Sequence, residues 1–384
     1  IRVMSIKRNS IVILILTVFF INVNAQNIDT SYKTLESITV VSRNLKITEK
    51  ASPYSITKLD QHQIASSAFR TTPEALMGSN GVFIQKTNHG GGSPFIRGLT
   101  GNQTLILVDG IRLNNSTFRY GPNQYLNTID MFTIDKIEVA KGIGAIEYGS
   151  DAMGGVINLS TKENEYSSRP IVHASTLGKF ISSNMEQTSR SEISFSNAQL
   201  AIQGGLSFKN YGNLKGGGNV GIQNPTGYNE NNIDLKVKLK ITKQDEVIIA
   251  TQNTIQHHVP IYHKIALENY RINEVEKQAR SLNYVKYKHI DNNKWFAEFL
   301  VTASTQRTIE QRSLQRNNST IYRNEADTVH TIGMTSEIIS KPTKYWTFNT
   351  GFDYYQDNIY SSAKELNQQT NTTVFKRGLY PNAA

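Results

Sequence analysis

Two patterns of apolar and polar positions divide this chain. Past Lys162 the residues alternate with period two. Ile233-Asp-Leu-Lys-Val-Lys-Leu-Lys-Ile241 is the strictest case. Ile193–Phe195, Leu200–Ile202, Leu206–Phe208 and Leu282–Tyr287 share it, Trp295–Val301 follows less strictly, and Val329–Thr335 and Tyr345–Tyr355 continue it. Period two over ~10 residues, with polar turns between, is what a membrane-spanning β-barrel strand shows, one face to lipid and one to a wet lumen. A soluble β-sandwich alternates in the same way. Tyr and Trp near strand ends (Trp295, Tyr345, Trp346, Tyr354, Tyr355) favour membrane interfaces over the sandwich. The segments after Lys162 would supply roughly eight strands of ~10 residues each.

Ahead of Lys162 the pattern is different. Ser52–Phe83 reads as strand, helix, strand. Thr72-Pro73-Glu74 starts the helix, with Thr at the cap, Pro where no amide partner is needed and Glu near the positive end. Leu76 and Met77 would be its buried face, and Asn80-Gly81 its end. Thr104–Val108 is an apolar run suited to a strand covered on both faces. Asp109-Gly110 turns the chain and Ile111–Leu113 returns it, a strong hairpin signal. Ile134–Ala140 is another strand, Gly142–Tyr148 a short helix, and Val156–Ser160 a final strand. Lys46–Thr161 is therefore expected to be a small mixed α/β domain, followed over 162–384 by antiparallel strands.

The N-terminus reads as an export signal over residues 1–25. Lys7 and Arg8 precede the apolar run Ile11–Ile21, and Val23-Asn-Ala25 is a small-residue exit. The run is shorter than the ~20 apolar residues of a spanning helix. Met4 is the plausible start. Export without a long apolar segment leaves the periplasm, the medium, or a β-barrel in an outer membrane. Lys+Arg 41 against Asp+Glu 31 gives a formal net charge of +10. The cations are scattered and no nucleic-acid-binding motif appears, so no nucleic-acid partner is expected. There is no cysteine, which excludes disulfides, Cys-ligated metals and a catalytic thiol.

Enzyme chemistry is not expected, nor a resident cofactor. Gly142-Ile-Gly144 begins like a dinucleotide loop, but Glu147 stands at the third glycine position. Gly90-Gly-Gly92 is followed by no Gly-Lys-Ser/Thr, and there is no Gly-x-Ser-x-Gly elbow. His257-His258, with His263 nearby, could in principle bind a metal. Placed beside Pro260 between strand-like segments, they read better as solvated imidazoles.

Four phrases carry a family resemblance. They are Phe95-Ile-Arg-Gly98, Leu105-Ile-Leu-Val-Asp-Gly-Ile-Arg-Leu113, Ile137-Glu-Val-Ala-Lys-Gly142 and Tyr148-Gly-Ser-Asp-Ala-Met-Gly-Gly-Val-Ile-Asn-Leu159. In this order and spacing they resemble the plug domain of TonB-dependent outer-membrane receptors. The resemblance implies a plug inside an antiparallel transmembrane β-barrel, in the outer membrane of a Gram-negative bacterium. Barrels of such receptors close with about 22 strands, so the chain is expected to hold the plug and the first part of an incomplete barrel.

The same resemblance implies function and partners. Residues 26–45 would be a tail carrying the TonB box, placed at Glu36, Ser37, Ile38, Thr39, Val40 and Val41. The periplasmic protein TonB, with its inner-membrane energising complex, would add this segment to its own sheet as an edge strand. The plain alternative is that these residues form the first strand of the plug. Plug apex loops contact the incoming ligand. Here they would be Asn88, His89, Gly90, Gly91 and Ser93, then Asn115, Thr117, Phe118, Arg119 and Tyr120. Glycines let backbone approach a ligand closely, and an apex histidine can ligate haem iron in haem-type relatives, which makes His89 a haem-ligand candidate beside the plainer reading of a solvated loop histidine. No other metal site is implied. Arg97, Lys136 and Lys141 would contact the barrel wall, although lysine lacks the planar fork of arginine. Asp151 near Gly154-Gly155 would support a turn.

The implied function is uptake of a scarce solute of the ferric siderophore, haem or cobalamin class, coupled to TonB. A surface-binding or signalling receptor without transport, and an oligosaccharide uptake receptor, are the alternatives. A signalling receptor carries a further domain before the box, and Gln26–Thr34 alone are too few to bury a core.

Overall fold

The two sequence patterns become two different sheets. The computed structural model describes residues 38–40, 46–48, 55–121, 123–142, 148–183, 185–291, 295–343 and 345–382, the first two stretches as backbone alone. The expected export signal, Glu36, Ser37, Val41 and most of the expected helix at Gly142–Tyr148 lie outside the described residues.

Strand β1 (Ile38–Val40) pairs antiparallel with β2 (Lys46–Thr48), Ile38 opposite Thr48. After β3 (Ser55–Leu59) comes a helix that the sequence pattern did not flag, α1 (Gln61–Ser67). Asp60 and Gln63 form its capping box: the Gln63 amide donates to Asp60 Oδ1 (2.9 Å) and the Asp60 amide to Gln63 Oε1 (3.0 Å). Such caps contribute about 1 kcal/mol and let a helix this short form.

The expected helix at Thr72 is a single turn, α2 (Thr72–Ala75). Its cap is Thr71, not Thr72, whose hydroxyl instead donates to the Ile129 carbonyl at 2.7 Å. Leu76 is fully buried, but Met77 is 48 % exposed because the helix stops before the next turn can carry it inward.

Strands β4 (Val82–Lys86) and β5 (Gly92–Ile96) form a hairpin. β6 (Thr104–Val108), β7 (Ile111–Arg112), β8 (Ile134–Lys141) and β9 (Gly155–Thr161) join β3 in a five-stranded sheet of order β3-β8-β9-β6-β7. Only β6 and β9 are parallel; the other neighbours are antiparallel. Every residue of β6 is buried, as its continuous apolar run requires. One face packs Ile106, Val108, Ile137, Val139, Ile157 and Leu159 on Leu76 and Leu126. The other packs Leu105, Leu107, Ala140 and Val156. Gly155 explains the paired glycines of the fourth phrase: with φ near +155°, a Cβ there would lie 2.5 Å from the Ala140 carbonyl oxygen. Asp151, at φ +71°, pairs with Arg112 and accepts from Asn114 Nδ2 at 3.2 Å, so it ties this turn to the β6–β7 return.

The second sheet is larger. Its strands are β10 (Ile171–Ile181), β11 (Glu186–Ser196) and β12 (Leu200–Tyr211). A small hairpin, β13 (Leu214–Gly216) and β14 (Gly221–Gln223), then projects from it. The sheet resumes with β15 (Tyr228–Lys240) and β16 (Asp245–Pro260). A short helix, α3 (Tyr262–Leu267), leads to β17 (Tyr270–Ile290), β18 (Glu298–Arg316), β19 (Ile321–Ser340), β20 (Phe348–Asn367) and β21 (Thr372–Arg377). Ten strands pair in sequence order, all antiparallel, with β10 and β21 at the two ends.

This is more strand than the alternation indicated. Leu200–Ile202 and Leu206–Phe208 fall on one strand, Trp295 lies in the turn before β18, and His257-His258 lie at the end of β16. β17 runs for 21 residues, twice the expected length.

The alternation has the polarity of a barrel wall, not of a sandwich. Ile233 and Leu235 are 50 % and 42 % exposed, whereas Lys236 and Lys238, further along the same strand, are each 7 % exposed. In a sandwich the apolar set would be the buried one. Here the polar face looks onto the five-stranded domain and the apolar face looks away from it, as lipid requires.

Candidate functional site

The polar inner face of the wall grips the plug at two buried carboxylates. Asp109 sits in the β6–β7 turn at φ +52°. Its oxygens accept from the Thr161 amide (2.8 Å) and hydroxyl (2.7 Å), both in the plug. From the wall, Tyr284 Oη donates at 2.9 Å, Gln252 Nε2 at 3.1 Å, and Lys236 Nζ lies at 3.5 Å. Lys286 Nζ donates to the Asp109 carbonyl at 2.9 Å. Burial pushes this carboxyl up, but the Lys236 and Lys286 ammoniums outweigh it and hold the group at about 2.

Asp130 is the second anchor. Lys209 Nζ lies 2.8 Å from one oxygen; Ser207 Oγ donates to the other at 2.6 Å, with Arg190 Nη1 at 3.5 Å. Lys209 is shared with Glu230 (2.7 Å), and Arg190 with Asp234 (2.8 Å) and Glu192 (2.9 Å). Burial again opposes ionisation of Asp130, and the Lys209 and Arg190 charges lower its pKa below the ordinary carboxylate value. Gly205 makes room for this fork: a Cβ there would lie 2.4 Å from Arg190 Nη2. The apolar contact is continuous too, since Ile248, Ala250, Leu282 and Tyr284 of the wall belong to the same core cluster as the plug's Ile106 and Leu159.

The first expected apex loop, residues 88–93, is sealed together with its neighbour Thr87 against the wall's loop ends. The His89 amide donates to the Thr226 carbonyl (3.1 Å), the Tyr262 amide to the Thr87 carbonyl (3.2 Å), and Asn88 Nδ2 to the Pro260 carbonyl (3.0 Å). Asn88 Oδ1 turns back to accept from the amides of Gly90 and Gly91, and Ser93 Oγ donates to the Asn123 carbonyl. Gly90 is pressed on Tyr228, whose hydroxyl would lie 1.9 Å from a Cβ at that position.

His89 itself is fully buried. Its Nδ1 is 3.0 Å from the Gly212 carbonyl, its Nε2 is 3.5 Å from Arg70 Nη1, and its ring lies 4.8 Å from that of Tyr211. With Nδ1 donating to a carbonyl, the Nε2 lone pair faces a guanidinium. Burial, and the nearby Arg70 and Lys86 charges, lower its pKa to about 4 against the opposing pull of the Gly212 bond. Arg70 in turn pairs with Glu74 at 2.5 Å. Glu74 titrates at about 2, burial being outweighed by the Arg70 bonds.

The second expected apex loop is more open. Asn115 and Thr117 bond each other and are buried; Asn115 Nδ2 also donates to Thr308 Oγ1 at 3.3 Å. Phe118 is buried, stacked on Tyr125 with centroids 4.4 Å apart. Ser116 donates to Asp357 of the wall from both its amide (2.7 Å) and its hydroxyl (2.6 Å). Arg119 and Tyr120 are exposed.

The residues expected at the plug–barrel contact engage other groups. Lys136 pairs with Glu138 at 3.0 Å. Lys141 donates to Thr57 Oγ1 and the Asn80 carbonyl, both at 2.9 Å. Arg97 is exposed, at φ +52°. Among the described residues, the ion pairs between plug and wall run through Asp109 and Asp130 instead. The sequence held a signal for them: the lysines of Ile233–Ile241 alternate onto the face that must look inward, so they call for anions from whatever fills the lumen. Asp109, visible as a turn residue, is one of those anions. No cluster of metal-ligating side chains occurs among the described residues.

A small α/β domain is thus clasped by the polar face of an antiparallel sheet whose other face is apolar, the arrangement of a plug against a barrel wall. Comparison with known proteins shows what this arrangement is similar to. Residues 48–156 match the family described as the TonB-dependent Receptor Plug Domain. A segment of 154 residues, 40 % of this chain and 23 % of the relative, is 30 % identical to the vitamin B12 transporter BtuB of Vibrio vulnificus (strain CMCP6). A segment of 142 residues, 35 % of this chain and 21 % of the relative, is 34 % identical to an iron-regulated outer membrane virulence protein of Vibrio cholerae (strain ATCC 39541 / Classical Ogawa 395 / O395). Among solved structures, the copper transporter OprC aligns over 83 % of this chain and 48 % of its own, with a TM-score of 0.67 and 13 % identity. The Serratia marcescens hemophore receptor HasR, solved with its hemophore HasA and heme, aligns over 82 % and 48 %, with a TM-score of 0.64 and 15 % identity. The matches cover about half the length of these solved structures and under a quarter of the curated relatives. It carries the plug domain of the TonB-dependent receptors and, behind it, part of a wall with their fold.

Proposed function

We propose that this chain is the plug and leading wall of an outer-membrane uptake receptor for a scarce solute of the ferric siderophore, haem or cobalamin class. The observation that supports it most is the clasp of Asp109 and Asp130 by cations on the inner face of a wall whose outer face is apolar. A plug held by charge inside a lipid-facing cylinder is a gate that can be moved without being rebuilt. The relatives named as a vitamin B12 transporter and an iron-regulated protein support the solute class.

Arg119 and Tyr120, with Ser116 beside them, are the plug groups best presented to a solute. His89 could reach a haem iron only after its Nε2 left Arg70 and the loop 88–93 lifted from Tyr228 and Gly212. TonB would take up the segment Glu36–Val41. Within it, among the described residues, Ile38–Val40 pairs with the three residues of β2, a short ladder that a partner's sheet can replace. No covalent step is needed.

The experiment is uptake by a strain that depends on the full-length gene, given iron chelates, haem and cobalamin in turn. Ile38→Pro removes an amide from the added strand. It should abolish uptake and leave solute binding intact. Normal uptake in that variant would move the coupling segment elsewhere, and uptake of none of the three solutes would overturn the proposed class.

A further inference from the structure

The two buried carboxylates of the plug stand on different ground. One end of the wall carries the turns 197–199 and 241–244, the other the long connections over 212–227 and 261–269. In such walls the longer connections are external and the turns at the opposite end are periplasmic. What lies on the periplasmic side of each carboxylate decides how it responds to a pull from there.

Below Asp109 the inner face is cationic. Its partners Lys236 on β15 and Tyr284 on β17 flank Ala250 of β16 in one row. The next row toward the periplasmic turns is Lys238, Ile248 and Lys286, and the one after it Lys240, Glu246 and Lys288. Lysines thus descend on both sides of β16. The two columns are two strand spacings apart, about 10 Å, and each step along a strand is roughly 7 Å. A cavity of about 290 Å³ opens beneath, lined in part by Lys238, Lys240, Glu246, Lys288 and Tyr166. Lys240 stands 4.8 Å from the centroid of the Tyr166 ring, and no carboxylate among the described residues pairs with it. Lys238 is held by Glu163 at 3.2 Å, a carboxylate 39 % exposed that can turn to water. Asp109 therefore has both room and counter-charge on its periplasmic side.

Below Asp130 the inner face is anionic. Its partners Arg190 and Ser207 share a row with Asn232, and the next row toward the periplasmic turns is Glu192, Gly205 and Asp234. Both of those carboxylates already engage Arg190, at 2.9 Å and 2.8 Å. An Asp130 drawn one row down would leave Lys209, which lies 2.8 Å from it at rest, and come between two carboxylates. Like charges brought together where water is excluded repel strongly. The same pull therefore meets opposite resistance at the two clasps.

We propose that a periplasmic pull tips the plug instead of drawing it straight down. Asp130 stays on Lys209 and Arg190 as a pivot. The Asp109 turn descends from Lys236 past Lys238 and Lys286 toward Lys240 and Lys288, gaining a new ammonium at each row before the last is lost. The seam then opens along β15 to β17, and the side of the plug against β11 and β12 stays closed. The inference rests on the uptake reading above.

The test uses the full-length receptor in cells that carry TonB and are given cobalamin, haem and ferric chelates in turn. Cysteine pairs closed by a short bismaleimide pin one clasp at a time: Asp130→Cys with Ser207→Cys, or Asp109→Cys with Gln252→Cys. Each is compared with the same variant left unlinked. The link at Asp130 should leave uptake within twofold, and the link at Asp109 should lower it at least tenfold. A second variant spares both clasps. Lys238→Gln with Lys288→Gln should slow uptake at least fivefold with solute binding unchanged, and Lys238→Arg with Lys288→Arg should restore it, since charge is what Asp109 steps onto. A loss from the Asp130 link as great as from the Asp109 link, no loss from the latter, or unchanged uptake in the glutamine variant would overturn the pivot and leave the uptake reading standing. Uptake of none of the three solutes by the unaltered receptor would overturn both.

Discussion

The plug and the wall are built from the same residue types with opposite polarity. In the plug, β6, β8 and β9 turn apolar side chains inward on both faces, and polar groups are left for loops and strand ends. In the wall, apolar side chains such as Ile233, Leu235, Ile249 and Val285 point out, while Arg190, Lys209, Lys236 and Gln252 point in. Each is unstable in the other's setting. A plug core facing a wet lumen would lose its hydrophobic gain, and a wall with Lys209 and Arg190 but no plug would leave buried cations short of anions. The difference teaches that the two parts specify each other: the plug supplies Asp109 and Asp130 to a surface that was charged in order to receive them.

The largest break in that arrangement is expected from Asp130→Ala. It leaves Lys209 and Arg190 buried with one anion fewer, a change of about 3–5 kcal/mol for a buried pair. Thermal unfolding and limited proteolysis of the purified receptor should show the plug released first. An unshifted transition would mean the clasp is incidental.

On the wall's outer face, Leu235→Arg should cost about 2–4 kcal/mol if that position lies near the middle of the bilayer, read as the denaturant midpoint of refolding into vesicles. No penalty would mean that β15 does not face lipid.

A pH scan separates the apex loop from both. In the unfolded chain the His89 imidazole takes up its proton near 6.5, in the fold only near 4. Between those values the unfolded state binds more protons. Stability that is complete above pH 6.5 therefore falls as the pH drops, by about 1.4 kcal/mol per unit and about 3 kcal/mol in all. His89→Gln should flatten that slope, measured as the melting temperature from pH 7 to pH 4. An identical slope in the variant would place the proton uptake elsewhere.

The smallest effect belongs to Met77→Ala. Its side chain is half exposed past the end of α2, so the change should stay within about 0.5 kcal/mol. Leu76→Ala, one residue earlier and fully buried, should cost about 2–5 kcal/mol. Equal effects would mean that the helix runs on and buries both.

Much of this fold is legible in the residues. The apolar run Thr104–Val108, the Asp109-Gly110 turn and the alternation of Ile233–Ile241 each predict what forms, because each depends on local geometry and one face of burial. The helix α1 escaped notice because its apolar face is a single buried residue, Ile64, and its signature is only the Asp60–Gln63 cap. Strand lengths were underread because outward positions toward one end of β17 and β18, such as Lys277 and Gln311, are themselves polar and so break the apolar–polar alternation.

The site was less legible. Arg97, Lys136 and Lys141 drew attention as cations in family phrases, yet the described ion pairs across the interface are carried by acids of the plug and bases of the wall. Which of two charged residues meets a partner 60 or more positions away depends on sheet register, and register is not written in either segment alone.

The most direct test of the paired polarity uses the absence of cysteine in the native chain. Single cysteines placed in turn along Ile233–Lys240 of the full-length receptor can be spin-labelled in lipid vesicles and read by oxygen accessibility. Accessibility should oscillate with period two, high at positions 233, 235, 237 and 239 and low between them. Oscillation of the opposite phase, or a flat profile, would contradict the account.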